Sequence, residues 1–95
     1  MRNKYELTIV LDGKTGSAKK KKVTETLESL MGVFKGKITG STDWGVKDLA
    51  YKIGKSSSGV YLYFELELDG KSVKGLNDKL RVDMDLLRYL LIRNG

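Results

Sequence analysis

The sequence predicts an α+β fold of order βαββαβ, with a four-stranded antiparallel sheet and two helices on one face. Three observations carry this. Apolar and polar residues alternate along separated runs, the period of a half-buried strand. Between those runs, two segments repeat apolar residues at helical spacing. The 95 residues are 40% hydrophobic and show no repeat and no interdomain linker, which fits one domain over 1–95.

The first strand spans 4–11, where Tyr5, Leu7, Ile9 and Leu11 alternate with Lys4, Glu6 and Thr8. Asp12-Gly13 and Gly16 end it. A helix follows over 18–33, with Ser17 as its expected N-cap. Its apolar stripe is Val23, Leu27, Leu30, Met31 and Phe34. Lys19 to Lys22 fall in its first turns, the wrong end for the helix dipole. The second strand runs from 37 to 53, and Gly40 and Gly45 predict bulges within it. Residues 54–59, Gly-Lys-Ser-Ser-Ser-Gly, read as a turn.

The third strand, 60–68, places Leu62, Phe64, Leu66 and Leu68 on one face and Tyr61, Tyr63, Glu65 and Glu67 on the other. The second helix spans 71–80, with Val73, Leu76 and Leu80 on one side. Asp83 to Asp85 makes a turn. The last strand covers 86–93, with Leu87, Leu90 and Ile92 expected inward. Two amphipathic helices can cover one face of such a sheet, which is the split βαβ, or ferredoxin-like, arrangement. The opposite face stays open, and function has to be sought there and at the edges.

Eighteen Lys and Arg oppose twelve Asp and Glu, a net charge of +6 that favours an anionic partner. Neither cysteine nor histidine occurs. That excludes disulfides, thiolate metal sites, Cys nucleophiles and Ser-His triads. No apolar run is long enough for a membrane span and no signal-peptide pattern is present, so the chain reads as cytoplasmic.

The run Gly45-Val46-Lys47-Asp48-Leu49-Ala50-Tyr51-Lys52-Ile53 is the most specific motif. Val46, Leu49, Tyr51 and Ile53 fall mostly on alternate positions, as in a strand with one buried side, while Lys47 and Lys52 thread through it. Gly45, Lys47, Asp48, Leu49, Ala50, Tyr51 and Ile53 fill every place of a family signature. On those residues, with Tyr5-Glu6, the aromatic third strand after Gly59, and Leu87-Arg88-Tyr89-Leu90, the chain resembles the bacterial small-subunit ribosomal protein six family. It departs by having Lys52 where a proline is common, Gly54 where a polar residue is usual, and no extended tail after the last strand. The resemblance implies a non-enzymatic component of the small (30S) ribosomal subunit. It would bind the central domain of 16S rRNA together with ribosomal protein eighteen, beside other small-subunit proteins and without a cofactor.

The candidate RNA contacts are Arg2, Lys4, Lys47, Lys52, Lys55, Arg88 and Arg93, cations on or beside strands that can neutralise phosphates. A solvated edge that resists aggregation is the alternative. Lys19 to Lys22 read as a solvated helix face or a peripheral RNA contact. Their stripe is needed for the core, which argues against a membrane helix.

The candidate protein-partner face is Tyr61, Tyr63, Glu65, Glu67 and Tyr89. RNA-recognition motifs on this fold stack bases on sheet aromatics, and a stand-alone RNA binder of that type is the second hypothesis. Here the first strand offers Glu6 and Thr8 instead of an aromatic, and the acids would repel phosphate. A basic protein suits that face better. Trp44 is either a core anchor or part of the partner surface. Asp83 and Asp85 read as turn residues rather than a Mg²⁺ site. Ser56 to Ser58 lack a base partner, and the 12–16 loop lacks the arginine an acylphosphatase-type enzyme would need.

Overall fold

A computed structural model describes residues 2–53, 56–82 and 88–94. Its elements are β1 (Arg2–Asp12), α1 (Ser17–Val33), β2 (Lys37–Ile53), β3 (Ser56–Asp69), a 3₁₀ turn (Gly70–Ser72), α2 (Val73–Val82) and β4 (Arg88–Asn94). The strands lie in the order β2-β3-β1-β4, every neighbour antiparallel. Each helix links two strands that are separated by a third, as predicted.

The core is one-sided. Tyr5, Leu7, Ile9 and Leu11 of β1 meet Leu62, Phe64, Leu66 and Leu68 of β3 on the covered face. Val23, Leu27, Leu30 and Met31 of α1 and Leu76 and Leu80 of α2 close over them. The register explains this partition, because Leu7 pairs with Phe64 and Ile9 with Leu62 while Glu6 pairs with Glu65 on the opposite side.

The β2 strand stays in register only through bulges. One falls between Ile38 and Gly40, another between Asp43 and Gly45. Each inserts a residue and flips the side-chain parity beyond it. Ile38 packs on the core while Gly40 sits across from Glu65 on the open face. Gly45 takes φ +80, a conformation that a residue without Cβ adopts at little cost.

Several expectations need correction. Helix α1 starts at Ser17, and its N-cap is Gly16, with no side-chain capping hydrogen bond. Ser56 to Ser58 belong to β3 rather than to a turn, and Ser56 is buried with its hydroxyl donating to Asp12 at 2.9 Å. In β4 the parity is inverted. Tyr89 and Leu91 pack against the core, while Leu90 (57% exposed) and Ile92 (46%) stand on the open face. Arg88 shares their parity, so burying Leu90 and Ile92 would have buried a guanidinium as well. The signature strand is not half-buried over its whole length. Val46 is 59% exposed and Tyr51 84%. Pairing of β1 with β3 ends at Asp12 and Gly59, so beyond it β3 has only the edge strand β2 beside it and the sheet narrows to two strands. Asp83, Asp85 and Leu87 lie outside the described residues.

The end of α1 is a Schellman cap. The Gly36 N–H donates to Met31 O at 2.8 Å and the Lys35 N–H to Gly32 O at 3.3 Å. Lys35 holds the left-handed position with φ 57, which strains a residue with a Cβ. Gly36 next to it has an extra reason to be glycine, since a Cβ there would lie 2.7 Å from Glu67 O. Adjacent substitutions should therefore act oppositely in urea unfolding. Lys35→Gly should raise stability by about 0.5–1 kcal/mol. Gly36→Ala should lower it by about 1–3 kcal/mol. Equal effects of one sign would contradict this account of the cap.

Candidate interaction surfaces

The open face is built from β1, β3 and β4 residues of one parity together with the bulged part of β2. Its centre is acidic. Glu6 and Glu65 stand directly across from each other on β1 and β3, with Ile92 opposite Glu6 on the other side. Tyr63 lies one row away, across from Thr8, and donates its hydroxyl to Glu6 Oε1 at 2.6 Å. That bond, with desolvation and the charges of Glu6 and Glu65, pushes the Tyr63 phenol up to about 12.

An aromatic and cationic ladder borders this centre. The Trp44 ring stacks on Tyr63 with centroids 5.0 Å apart and planes 10° from parallel. The Lys47 ammonium lies 5.6 Å from the Trp44 ring centroid and 5.9 Å from that of Tyr61. The bulge makes this possible. Asp43 before it faces the helices, where Lys20 reaches it at 3.2 Å. Without the extra residue, Lys47 would share the parity of Asp43 and point to the helix side. Trp44 is thus a surface residue at one edge of the open face, and Val10 and Thr8 of β1 with Leu90 and Ile92 of β4 extend that face to the other edge, mixing apolar patches with carboxylates.

The predicted RNA-contact residues do not form one row. Lys47 and Arg88 lie at the end of the sheet where β1 finishes, opposite Gly59 on β3 and Val10 on β1 respectively. Lys4 lies near the other end, directly across from Glu67, which also takes an ion pair from Lys37 at 3.2 Å. Arg93 pairs with Tyr5 and donates to Asn3 Oδ1 at 3.3 Å, on the helix-covered side. The backbones of Arg2 and Lys52 are within strands, but their side chains, and all of Lys55, lie outside the described residues.

The predicted partner residues divide as well. Tyr61, Tyr63, Glu65 and Glu67 share the open face. Tyr89 does not, because its ring packs on the core and its hydroxyl donates to the side-chain carbonyl of Asn77 on α2. Sequence reasoning missed Leu90 and Ile92 as open-face residues, and the parity of Arg88 was the signal that marks them.

The topology gathers further cations where Lys47 and Arg88 lie. Helix α1 begins there, carrying Lys19 to Lys22 just after Lys14, and α2 ends there with Lys79 and Arg81 in its last turn. Two carboxylates at this end are already engaged. Asp12 accepts from the Lys14 N–H and from Ser56, and Asp43 accepts from the Gly45 N–H at 2.7 Å and from Lys20. Both sit below the ordinary carboxylate value for those reasons, the backbone hydrogen bond being the largest in each. Among the described residues no group of three or more His, Cys, Asp or Glu could hold a metal ion, and no helix is long and apolar enough to cross a membrane.

The titrations have opposite signs at the two ends of the pH scale. Tyr63 binds its proton more tightly folded than unfolded, so its contribution is complete below pH 10 and fades as pH rises toward 12. Asp12 and Asp43 are depressed below 3.8, so their contribution is complete above that value and fades as pH falls through it. A tyrosinate absorbance titration should show one phenol ionising near 12, and Glu6→Ala should return it toward the ordinary value of 10.0. An unchanged late phenol in that variant would contradict the assigned hydrogen bond.

Comparisons with known proteins agree with this architecture. Residues 4–93 match the model of the family described as Ribosomal protein S6. The small ribosomal subunit protein bS6 of Pelagibacter ubique is 35% identical over 91 residues, covering 96% of this chain and 75% of that protein. The bS6 of Geobacter sulfurreducens is 33% identical over 89 residues, covering 94% and 76%. In structure, the 30S ribosomal protein S6 of Thermotoga maritima superposes with a TM-score of 0.87 over 99% of this chain and 89% of that one, a likeness of fold at 22% identity. The resemblance carried by the β2 signature therefore holds, and the chain belongs to the ribosomal protein S6 family, a family of structural, non-enzymatic proteins of the small subunit of the bacterial ribosome.

Proposed function

We propose that this chain binds the central domain of 16S rRNA through its basic end and presents its open sheet face to ribosomal protein eighteen. The division of charge carries the reading. Lys47 and Arg88 lie at the end that also holds the cationic first turns of α1, whereas Glu6 and Glu65 occupy the middle of the face. A polyanion gains by releasing counterions at the first surface and is repelled by the second. A basic protein fits the second, where carboxylates alternate with Trp44, Tyr63, Leu90 and Ile92 to give both charge and apolar area.

The same acids weigh against a stand-alone RNA-recognition module that stacks bases on the sheet. On such modules each stacked base contributes roughly 1–3 kcal/mol. Here Tyr63 is covered by Trp44 and hydrogen-bonded to Glu6.

Binding of a central-domain transcript, measured by filter retention over a salt series with ribosomal protein eighteen present, separates the surfaces. Lys47→Ala and Arg88→Ala should each weaken RNA binding and flatten the plot of log K against log salt by about 0.7–0.9 per lost phosphate contact. Glu65→Lys should abolish association with ribosomal protein eighteen while leaving the direct RNA contact equal or stronger. Loss of RNA binding on Tyr63→Ala, with partner association intact, would favour the base-stacking module instead. In cell extract, the chain should sediment with the small subunit and resist a moderate salt wash.

A further inference from the structure

Four of the five tyrosines have a visible role in the fold. Tyr5 is buried in the core, and Tyr89 faces α2. Tyr63 is stacked under Trp44, and Tyr61 lies beneath the Lys47 ammonium. Tyr51 has none of these. It is 84% exposed and sits where the pairing of β2 with β3 is interrupted between Asp48 and Ile53. Among the described residues neither β1 nor β4 extends that far, so β2 and β3 continue there as a two-stranded arm. Between Lys47 and Lys55 the sequence carries three lysines against one acid, Asp48. An aromatic ring held in water on a cationic arm gains from a partner that is both flat and anionic. The phenol hydroxyl can donate one hydrogen bond to a phosphate oxygen, while the ring offers a flat apolar surface that phosphate does not use, and Tyr51→Phe separates the two contributions.

We propose that Tyr51 is a stacking platform for an unpaired nucleobase of the ribosomal RNA, with Lys47 on the same strand holding a phosphate beside that base. Stacking tolerates any base, because every base offers a π-face, and it complements the sequence-independent contacts of lysine. This proposal rests on the RNA-binding reading above and adds to it a contact to a base, made at the arm rather than on the sheet.

The test compares the full-length wild type with Tyr51→Ala, Tyr51→Phe and Lys47→Ala. Each binds a central-domain transcript of 16S rRNA in the presence of ribosomal protein eighteen, and nucleotide-resolved chemical probing reads the bases. Because Tyr51 is exposed, its variants should melt at the wild-type temperature. Tyr51→Ala should weaken binding roughly 5- to 150-fold. The salt slope should stay unchanged, and one unpaired base should lose its protection. Tyr51→Phe should keep both affinity and protection. Lys47→Ala should lower affinity and slope together. If Lys47→Ala weakens binding and Tyr51→Ala does not, stacking is overturned while RNA binding stands. If the wild type does not bind the transcript, or no variant changes binding, the RNA reading itself falls. If Tyr51→Ala instead loosens ribosomal protein eighteen in the absence of RNA, the ring belongs to a protein interface and the proposal is overturned.

Discussion

The pairing of β1 with β3 is the constraint on which the rest of this structure depends. Its register sets Leu7 against Phe64 and Ile9 against Leu62 on one side, and so forces Glu6 against Glu65 on the other. Two like charges directly across a ladder are unfavourable. They are tolerated because their side of the sheet stays wet and because Tyr63 gives Glu6 a hydroxyl donor. A one-residue slip would bury both carboxylates and expose the core leucines. The register that builds the core is thus the same one that makes the open face acidic.

The bulge at Trp44 adds a second constraint. It turns an edge strand that begins over the core into one whose Lys47 faces outward. Asp43 stays tied to Lys20 of α1, Gly45 takes the left-handed turn, and Lys47 swings over Trp44 and Tyr61. The strand then runs on with β3 as a two-stranded arm past the end of β1. Its first half is scaffold and its second half is surface.

The alternation in β1 and β3 and the helical stripes revealed the fold, because buried faces impose a strict period. The stripe in α1 reappears residue for residue, and the glycines at 40 and 45 marked two of the three irregularities in β2, the third lying between Asp48 and Ile53. The last strand was harder to read. Tyr89-Leu90-Leu91-Ile92 is apolar at every position, so hydrophobicity could not choose its face, and only Arg88 carried the information. Tyr51 looked buried because alternation was extended past the point where β1 ends, a limit that the β2 sequence does not contain. The basic end was also hidden. It is assembled from a loop, two helix termini and two strand ends that are distant in sequence, and only the antiparallel topology brings them together.

The most direct test of this division of surfaces is an NMR titration of the full chain, first with ribosomal protein eighteen and then with a central-domain transcript. The account predicts that the protein shifts signals at Glu6, Tyr63, Glu65 and Ile92, and that RNA then shifts those at Lys47, Arg88 and the first turns of α1. RNA shifts centred on Glu6 and Glu65, with Lys47 and Arg88 silent, would contradict it.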